Sequence, residues 1–390
     1  MKKKIIFISK ALWIGGIETA LVNLLNNIDY NKYDVTCLVL KAELDMADKI
    51  NPNCRLLVID RDQCVTFPIS YRYKRLYHLT EDSENPSKLH RLFMCVVPAI
   101  RWIENRFYIR YIRNLMKNEV FDTAIIYSDV VAESAVRAIK ASRYLMFYHH
   151  GAMRHVYHDK IGYKKSEKII AVSENQASEL RKFVPKYADK ITAIHNLTDY
   201  EGIRNKAMMP IEEEFCKDYF NIVSCGRVSR EKGLDFAVKA CAKLVADGYD
   251  NIRWWIVGGG PAETEVRNLI AELNMEKYVI MVGMKSNPYP YIKKADLYVQ
   301  PSRFEGYSMT ILEAMVLCRS ILATKSAAKE QINSGVNGLL CEASAEKIAE
   351  SIEYLLIHDG EREKYHKALL KYSFDEANEK IMQSLYRLFE

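Results

Sequence analysis

The sequence predicts an α/β chain built as two open, parallel-stranded sheets in tandem. Three observations carry that reading: apolar runs too continuous for strands with one wet face, helix-periodic segments between them, and a polar lapse near mid-chain after which the alternation restarts. The 390 residues agree, since a domain takes roughly 100–200 residues.

The first half opens with the strand Lys4-Ile5-Ile6-Phe7-Ile8-Ser9, a turn through Gly15-Gly16, and a helix through Thr19-Ala20-Leu21-Val22-Asn23-Leu24-Leu25. Further strands follow at residues 35–40, 56–59, 124–127, 144–148 and 168–172. Between Asn196 and Phe220 the pattern lapses, with Met209-Pro210 and Glu212-Glu213-Glu214 marking a boundary. Strands then read at 220–225, 254–257, 278–282, 297–300 and 320–323, with helices at 235–246, 263–274 and 345–356 and more helix over 361–390. Each half is Rossmann-like. The expected division is residues 1–198, residues 199–370, and a terminal helix at 371–390 that returns to the first domain. Ligands of such sheets bind beyond the carboxyl ends of the strands, so the site belongs in the cleft between domains.

Composition narrows the class. With 49% hydrophobic and 27% charged residues the chain is ordinary globular protein, which excludes disorder and collagen-like repetition. The longest apolar run, Leu92 to Ile100, is about half of the ~20 residues a membrane-spanning helix needs. Met1-Lys2-Lys3-Lys4 is basic like a leader, but the apolar run after it stops at Ile8 and reads as a strand. Nine cysteines without a C-x-x-C pair suit reduced thiols in a cytoplasmic protein and suggest no zinc site. The net charge of +6 divides into +9 for residues 1–200 and −3 for 201–390, so an anionic partner, if any, belongs to the first half.

Two segments after strands carry the chemistry. Gly226-Arg227-Val228-Ser229-Arg230-Glu231-Lys232-Gly233 brackets cations between glycines, and Arg227 with Lys232 can neutralise a diphosphate. Pro301 to Met315 follows Gln300 and holds Glu305 and Glu313 eight residues apart, one in a loop and one inside a helix. The amides from Gly306 through Tyr307, Ser308, Met309 and Thr310 would lie at that helix's N-terminus and favour an anion. Gly258-Gly259-Gly260-Pro261 lacks the third glycine of the dinucleotide fingerprint, which disfavours nicotinamide.

These residues resemble the retaining nucleotide-sugar glycosyltransferases of the GT-B fold, family four (glycosyl transferases group 1), and among them capsular and surface polysaccharide enzymes. The resemblance rests on Gly15-Gly16, Gly226-Arg227 with Lys232-Gly233, the Glu305 and Glu313 pair followed by Ala314-Met315, Val172-Ser173-Glu174 and Ile256-Val257-Gly258-Gly259-Gly260. It implies an acceptor domain followed by a donor domain, no metal, no cofactor beyond the nucleotide sugar as co-substrate, and retained anomeric configuration. Arg227 and Lys232 would bind the diphosphate, Glu313 the ribose, and Glu305 the transferred sugar. Gly16 would admit the phosphate, and the turn Gly283-Met284-Lys285 would face the base. His150, in Phe147-Tyr148-His149-His150-Gly151, would line the sugar site and accept or polarise a hydroxyl. Asn196 matches a structural hinge position.

Arg106, Arg110, Arg113 and Lys117 recur at steps of four, three and four, which stacks them on one helix face. Near the aromatics and cations of Tyr71-Arg72-Tyr73-Lys74-Arg75, they suit an anionic membrane surface and a glycan or lipid-linked acceptor. The overall expectation is transfer of a hexose or N-acetylhexosamine, from a UDP-sugar by preference, to a growing surface glycan. Competing readings are a nucleotide-sugar epimerase of the same architecture, a non-catalytic sugar-nucleotide binding subunit, and a nucleic-acid-binding protein. The last finds no recognisable module here, and no nucleic-acid partner is expected.

Overall fold

A computed structural model of the chain describes residues 2–59, 103, 106–117, 119–127, 131–149, 160–213 and 215–390. The first sheet holds β1 (Lys3–Ser9), β2 (Tyr33–Val39), β3 (Arg55–Val58), β4 (Val120–Ile126), β5 (Lys140–Tyr148), β6 (Lys168–Ala171) and β7 (Ile191–Ala193). They run parallel in the order β3-β2-β1-β4-β5-β6-β7. The second holds β8 (Phe220–Cys225), β9 (Ile252–Val257), β10 (Val279–Gly283), β11 (Leu297–Gln300), β12 (Ile321–Thr324) and β13 (Leu339–Cys341), parallel in the order β10-β9-β8-β11-β12-β13.

The continuous apolar runs are explained by burial on both faces. Ile6, Ile8, Ala124 and Ile126 face one core, and Ile5, Phe7 and Ile125 the other. In the second sheet Ile222, Trp254 and Ile256 face one side, and Val223, Trp255 and Val257 the other. The edge strand β13 was not foreseen. It is three residues long and among the described residues pairs only with β12, too short to leave a periodic signature.

Helix α1 (Gly16–Asn27) follows β1 and packs Leu21, Leu24 and Leu25 against the first sheet. Helix α2 (residues 106–115) precedes β4 and buries Tyr108, Ile109 and Ile112. Helix α3 (Glu174–Phe183) follows β6, helix α4 (Leu234–Ala246) follows β8, and helix α5 (Met309–Val316) follows β11. The helical stretch expected over 361–390 is two helices, Asp359–Leu370 and α6 (Phe374–Phe389), separated at residues 371–373 where Ser373 caps α6. Helix α6 lies on the first sheet's core through Met382, Leu385 and Phe389, and Asn378 bridges the Thr198 amide and carbonyl at 3.1 and 2.8 Å. Among the described residues no helix is long and apolar enough to cross a membrane.

Helix α2 departs in part from its expected face. Arg113 turns back and donates from two nitrogens to the Arg137 carbonyl, at 3.0 and 2.6 Å. Lys117 lies beyond the helix in a left-handed turn with φ of 44°, off the line of Arg106 and Arg110. Those two remain exposed, beside an apolar line of exposed Ile103, Phe107, Tyr111 and Leu115. The Tyr71 to Arg75 stretch lies outside the described residues.

Phe389 is 1% exposed and meets Phe7 edge-on at 6.4 Å and Tyr33 at 5.9 Å. Phe389→Ala should therefore cost about 3–5 kcal/mol, as large-to-small changes of buried aromatics do. Urea denaturation read against wild type checks this.

Candidate functional site

In each sheet the strand order reverses at one place, between β1 and β4 and between β8 and β11, and a crevice opens beyond the strand ends there. The loop with Gly15-Gly16 leaves β1, the loop 226–233 leaves β8, and the loop 301–308 leaves β11.

Two glycines allow the second lobe's loops to close on one another. Gly258, at φ of 150°, lies so near the Gly226 carbonyl that a Cβ would stand 1.9 Å from its oxygen. Gly233, at φ of 64°, would place a Cβ 2.1 Å from the Pro301 carbonyl oxygen. A side chain at either position would collide with backbone that cannot yield.

Those approaches set up a polar cluster. Lys232 Nζ donates to Glu305 Oε1 at 2.6 Å. The same oxygen accepts from Ser302 Oγ at 2.7 Å and from Gln300 Nε2 at 3.1 Å. Gln300 is fixed in turn, its Oε1 accepting from the Tyr298 hydroxyl at 2.6 Å and from Thr310 Oγ1 at 3.1 Å. The clamp lysine and the carboxylate assigned to the sugar are thus partners across the β8/β11 switch point.

Arg227 is exposed and lies beside Gly260, where a Cβ would stand 3.0 Å from Arg227 Cγ. It lies within electrostatic reach of Glu18 in α1 of the first lobe. Glu313 is buried in α5, and burial pushes its carboxyl up to about 8 against the opposing pull of Lys232. Met284 is exposed, its side chain near where a Cβ on Gly259 would stand.

The expected amide cradle is only partly free. The Ser308 amide donates to Gln331 Oε1 at 3.0 Å, and Gln331 Nε2 returns to the Ser308 carbonyl at 2.8 Å. Gly306 and Tyr307 face the other lobe. A Cβ at Gly306 would lie 2.8 Å from Gln176 Nε2 and 3.1 Å from the His149 carbonyl oxygen, and Tyr307 stacks on His195 at 4.4 Å. Gly16 meets the second lobe, where a Cβ would stand 3.7 Å from Met309 Cγ. His150 lies outside the described residues. His149 packs against Tyr127 and Phe147, with ring centroids 4.6 and 5.6 Å away. Asn196 is buried beyond β7.

Two residues of this region were not singled out from the sequence. Glu330 accepts from the Glu174 amide at 2.8 Å and the Asn175 amide at 2.5 Å, so a second-lobe carboxylate caps α3 of the first lobe, with His195 Nε2 3.6 Å away. Glu18 is 5% exposed, and burial pushes its carboxyl up to about 7 although its own amide, the Trp13 indole, Arg227 and Lys10 oppose this. An acid three residues into a helix behind Gly-Gly was the available signal for Glu18. Glu330 gave none, since it reads as a charged residue among polar neighbours. Among the described residues no group of His, Cys, Asp and Glu is arranged to hold a metal ion.

Residues 209–371 match the family model "Glycosyl transferases group 1". Over 206 residues the chain is 30% identical to the N-acetylgalactosamine-N,N'-diacetylbacillosaminyl-diphospho-undecaprenol 4-alpha-N-acetylgalactosaminyltransferase of Campylobacter jejuni, covering 52% of this chain and 54% of that one. The chain spans about half the length of the curated relatives it matches. Among solved structures, HepE of Anabaena, in complex with UDP and glucose, superposes with a TM-score of 0.69 at 14% identity, covering 99% of this chain and 100% of its own. A mutant of S. aureus TarM, in complex with fondaparinux, α-GlcNAc-glycerol and UDP, gives 0.69 at 12% identity with 100% of both chains covered. The fold is that of GT-B glycosyltransferases.

Glu313 makes stability depend on pH. A carboxyl that holds its proton more tightly folded than unfolded favours the folded state least once pH exceeds the folded value. The urea midpoint of the unliganded protein should fall as pH rises from about 5 to 8. Glu313→Gln should make that fall shallower and leave the variant more resistant than wild type at pH 8.5, with Glu18 supplying the remaining slope.

Proposed function

We propose that the protein is a retaining glycosyltransferase that moves a hexose or N-acetylhexosamine from a nucleoside diphosphate sugar, a UDP-sugar by preference, to a hydroxyl of a growing lipid-linked surface glycan. The observation that carries the reading is the second-lobe cluster, in which Arg227 and Lys232 lie at one switch point with Glu305 and Glu313. Its support is the family match over 209–371, the UDP in the HepE and TarM complexes, and the diphospho-undecaprenol in the name of the Campylobacter relative.

In this reading the nucleotide lies against the second lobe, with its ribose at Glu313, its base at the turn holding Met284, and its diphosphate at Arg227 and Lys232. The slow event is cleavage of the bond from the anomeric carbon to the diphosphate oxygen. Charge grows on that oxygen as the bond breaks, and the two cations stabilise it more than they stabilise the bound donor, which is the condition for acceleration. Because they supply positive charge directly, the step needs no metal ion. Glu305, held by Lys232, Ser302 and Gln300, orients the sugar. The acceptor hydroxyl attacks from the face the diphosphate leaves, and its proton passes to the departing phosphate oxygen. The lobes' contact excludes water and limits hydrolysis of the donor.

The acceptor reading draws on α2. Exposed Arg106 and Arg110 beside the apolar line Ile103, Phe107, Tyr111 and Leu115 form an amphipathic surface suited to the headgroup region of an anionic membrane. Each cation near such a surface contributes about 1 kcal/mol. This makes the protein peripheral on a cytoplasmic membrane face, where a lipid-linked glycan is met.

The test is thermal stabilisation by a panel of nucleoside diphosphate sugars. One uridine or guanosine diphosphate donor should raise the melting temperature of wild type, and Arg227→Ala should abolish most of the shift; an equal shift in the variant removes the clamp from the account. In flotation assays Arg106→Glu with Arg110→Glu should release the protein from phosphatidylglycerol vesicles, and undiminished binding would count against the membrane surface.

A further inference from the structure

The segment after β12 carries two consecutive side chains with different partners, and neither enters the mechanism above. Glu330 reaches out of the second lobe. Its Oε2 accepts from the Glu174 amide at 2.8 Å and its Oε1 from the Asn175 amide at 2.5 Å, so both oxygens are engaged by the first turn of α3 in the first lobe. Gln331 turns instead into its own lobe. It holds the backbone of Ser308 twice, its Oε1 accepting from the amide at 3.0 Å and its Nε2 donating to the carbonyl at 2.8 Å. Ser308 ends the loop that carries Glu305 and begins α5. One residue therefore grips the opposite lobe while the next grips the donor loop.

A second path joins the same two places. Tyr307, the neighbour of Ser308, stacks on His195 at 4.4 Å with the ring planes 13° apart, and His195 Nε2 stands 3.6 Å from Glu330 Oε2. Gly306 meets α3 itself, where a Cβ would stand 2.8 Å from Gln176 Nε2. These contacts close a circuit that crosses between the lobes twice, from Ser308 to Gln331, Glu330, then α3 and His195, and back through Tyr307. Such a circuit resists partial motion. Separating the lobes breaks two charge-assisted hydrogen bonds and the ring stack together. Shifting residues 306–308 pulls on Gln331, which is 7% exposed and would leave buried polar groups unmatched if it let go.

We propose that Glu330 and Gln331 are positioning residues that make the order of the donor loop and the closure of the lobes a single variable. Neither is a donor contact in the reading given under Proposed function, on which this inference rests. A ligand that settles residues 305–308 stabilises the closed arrangement through this pair, and closure in turn holds the loop ready for the ligand, because coupling of this kind is reciprocal. The two residues transmit occupancy of the second lobe to the first.

The consequence is measurable with the nucleotide alone. A ligand that prefers the closed arrangement binds more weakly in proportion as that arrangement is less populated. The experiment is calorimetric titration of the full chain with UDP, beside small-angle X-ray scattering, on wild type, Glu330→Ala, Gln331→Ala and the double variant. Glu330→Ala should weaken UDP binding by about fivefold or more. It should also raise the radius of gyration of the unliganded protein, and saturating UDP should restore the wild-type value. Gln331→Ala should weaken binding comparably. Once either link is cut the other has nothing to transmit, so the double variant should lose little beyond the weaker single variant, where independent residues would give the product of the two losses.

Unchanged UDP affinity in Glu330→Ala makes that carboxylate a cap of α3 only and overturns the proposal. Losses that multiply in the double variant overturn it as well, and so does a radius of gyration that Glu330→Ala leaves unaltered. Should Gln331→Ala fail to fold, His195→Ala takes its place in the cycle, since half-buried His195 belongs to the same circuit, and multiplying losses there count against the proposal equally. Wild type that binds no nucleoside diphosphate overturns the donor reading itself, an outcome distinct from independent losses in a protein that binds UDP.

Discussion

The ion pair between Lys232 and Glu305 is the contact on which the site's arrangement depends. It ties the loop leaving β8 to the loop leaving β11, the two strands between which the second sheet's order reverses. A half-buried pair of this kind does little for stability if desolvation offsets attraction. Its effect here is geometric. Glu305 Oε1 accepts from Lys232, Ser302 and Gln300 at once, so neither the cation nor the carboxylate is free to choose another rotamer without leaving a polar group unmatched. The glycines at 233 and 258 serve the same end, because each admits a backbone approach that no Cβ permits.

The relation between the lobes rests on contacts of a different kind. Glu330 caps α3 from the opposite lobe, Tyr307 stacks on His195, and Gly306 lies against the His149 carbonyl. The segment 301–308 thus does two things: its Glu305 end belongs to the clamp, and its Gly306-Tyr307 end belongs to the interface. A ligand that repositions Glu305 acts on a loop that touches the other lobe one residue later, at Gly306. That is a short physical route from Glu305 to the lobe interface, and it needs no relay through either core.

Most of the fold was legible because buried parallel strands leave a signal that survives without context. Ile5 to Ile8 and Ile222 to Cys225 are apolar on both faces, and only helices on both sides of a sheet explain that. β13 left no such trace, being three residues at an edge. Of the candidate site, the placement of Arg227, Lys232, Glu305 and Glu313 after strands was legible, since they carry charge beside glycine or apolar neighbours. What could not be read was pairing across long sequence distance. Nothing local tells that Ser308's amide is taken by Gln331, that Arg113 folds back onto the Arg137 carbonyl, or that Glu330 reaches α3. Helical spacing gave the line of Arg106 and Arg110 correctly, but not the left-handed turn that takes Lys117 off it.

The charge balance of the cleft is the last constraint. Two cations, Arg227 and Lys232, face three carboxylates, Glu18, Glu305 and Glu313. If all three were ionised the empty site would repel a diphosphate. Burial prevents this by raising Glu18 and Glu313 toward neutrality, while Glu305 is engaged by Lys232, Ser302 and Gln300. Near neutral pH two of the three acids are therefore partly protonated. An entering diphosphate can displace that balance, where it could not displace three fixed anions. A clamp built from cations alone would bind the proposed leaving group more tightly and release it more slowly, so under the proposed function the buried carboxylates favour turnover over storage.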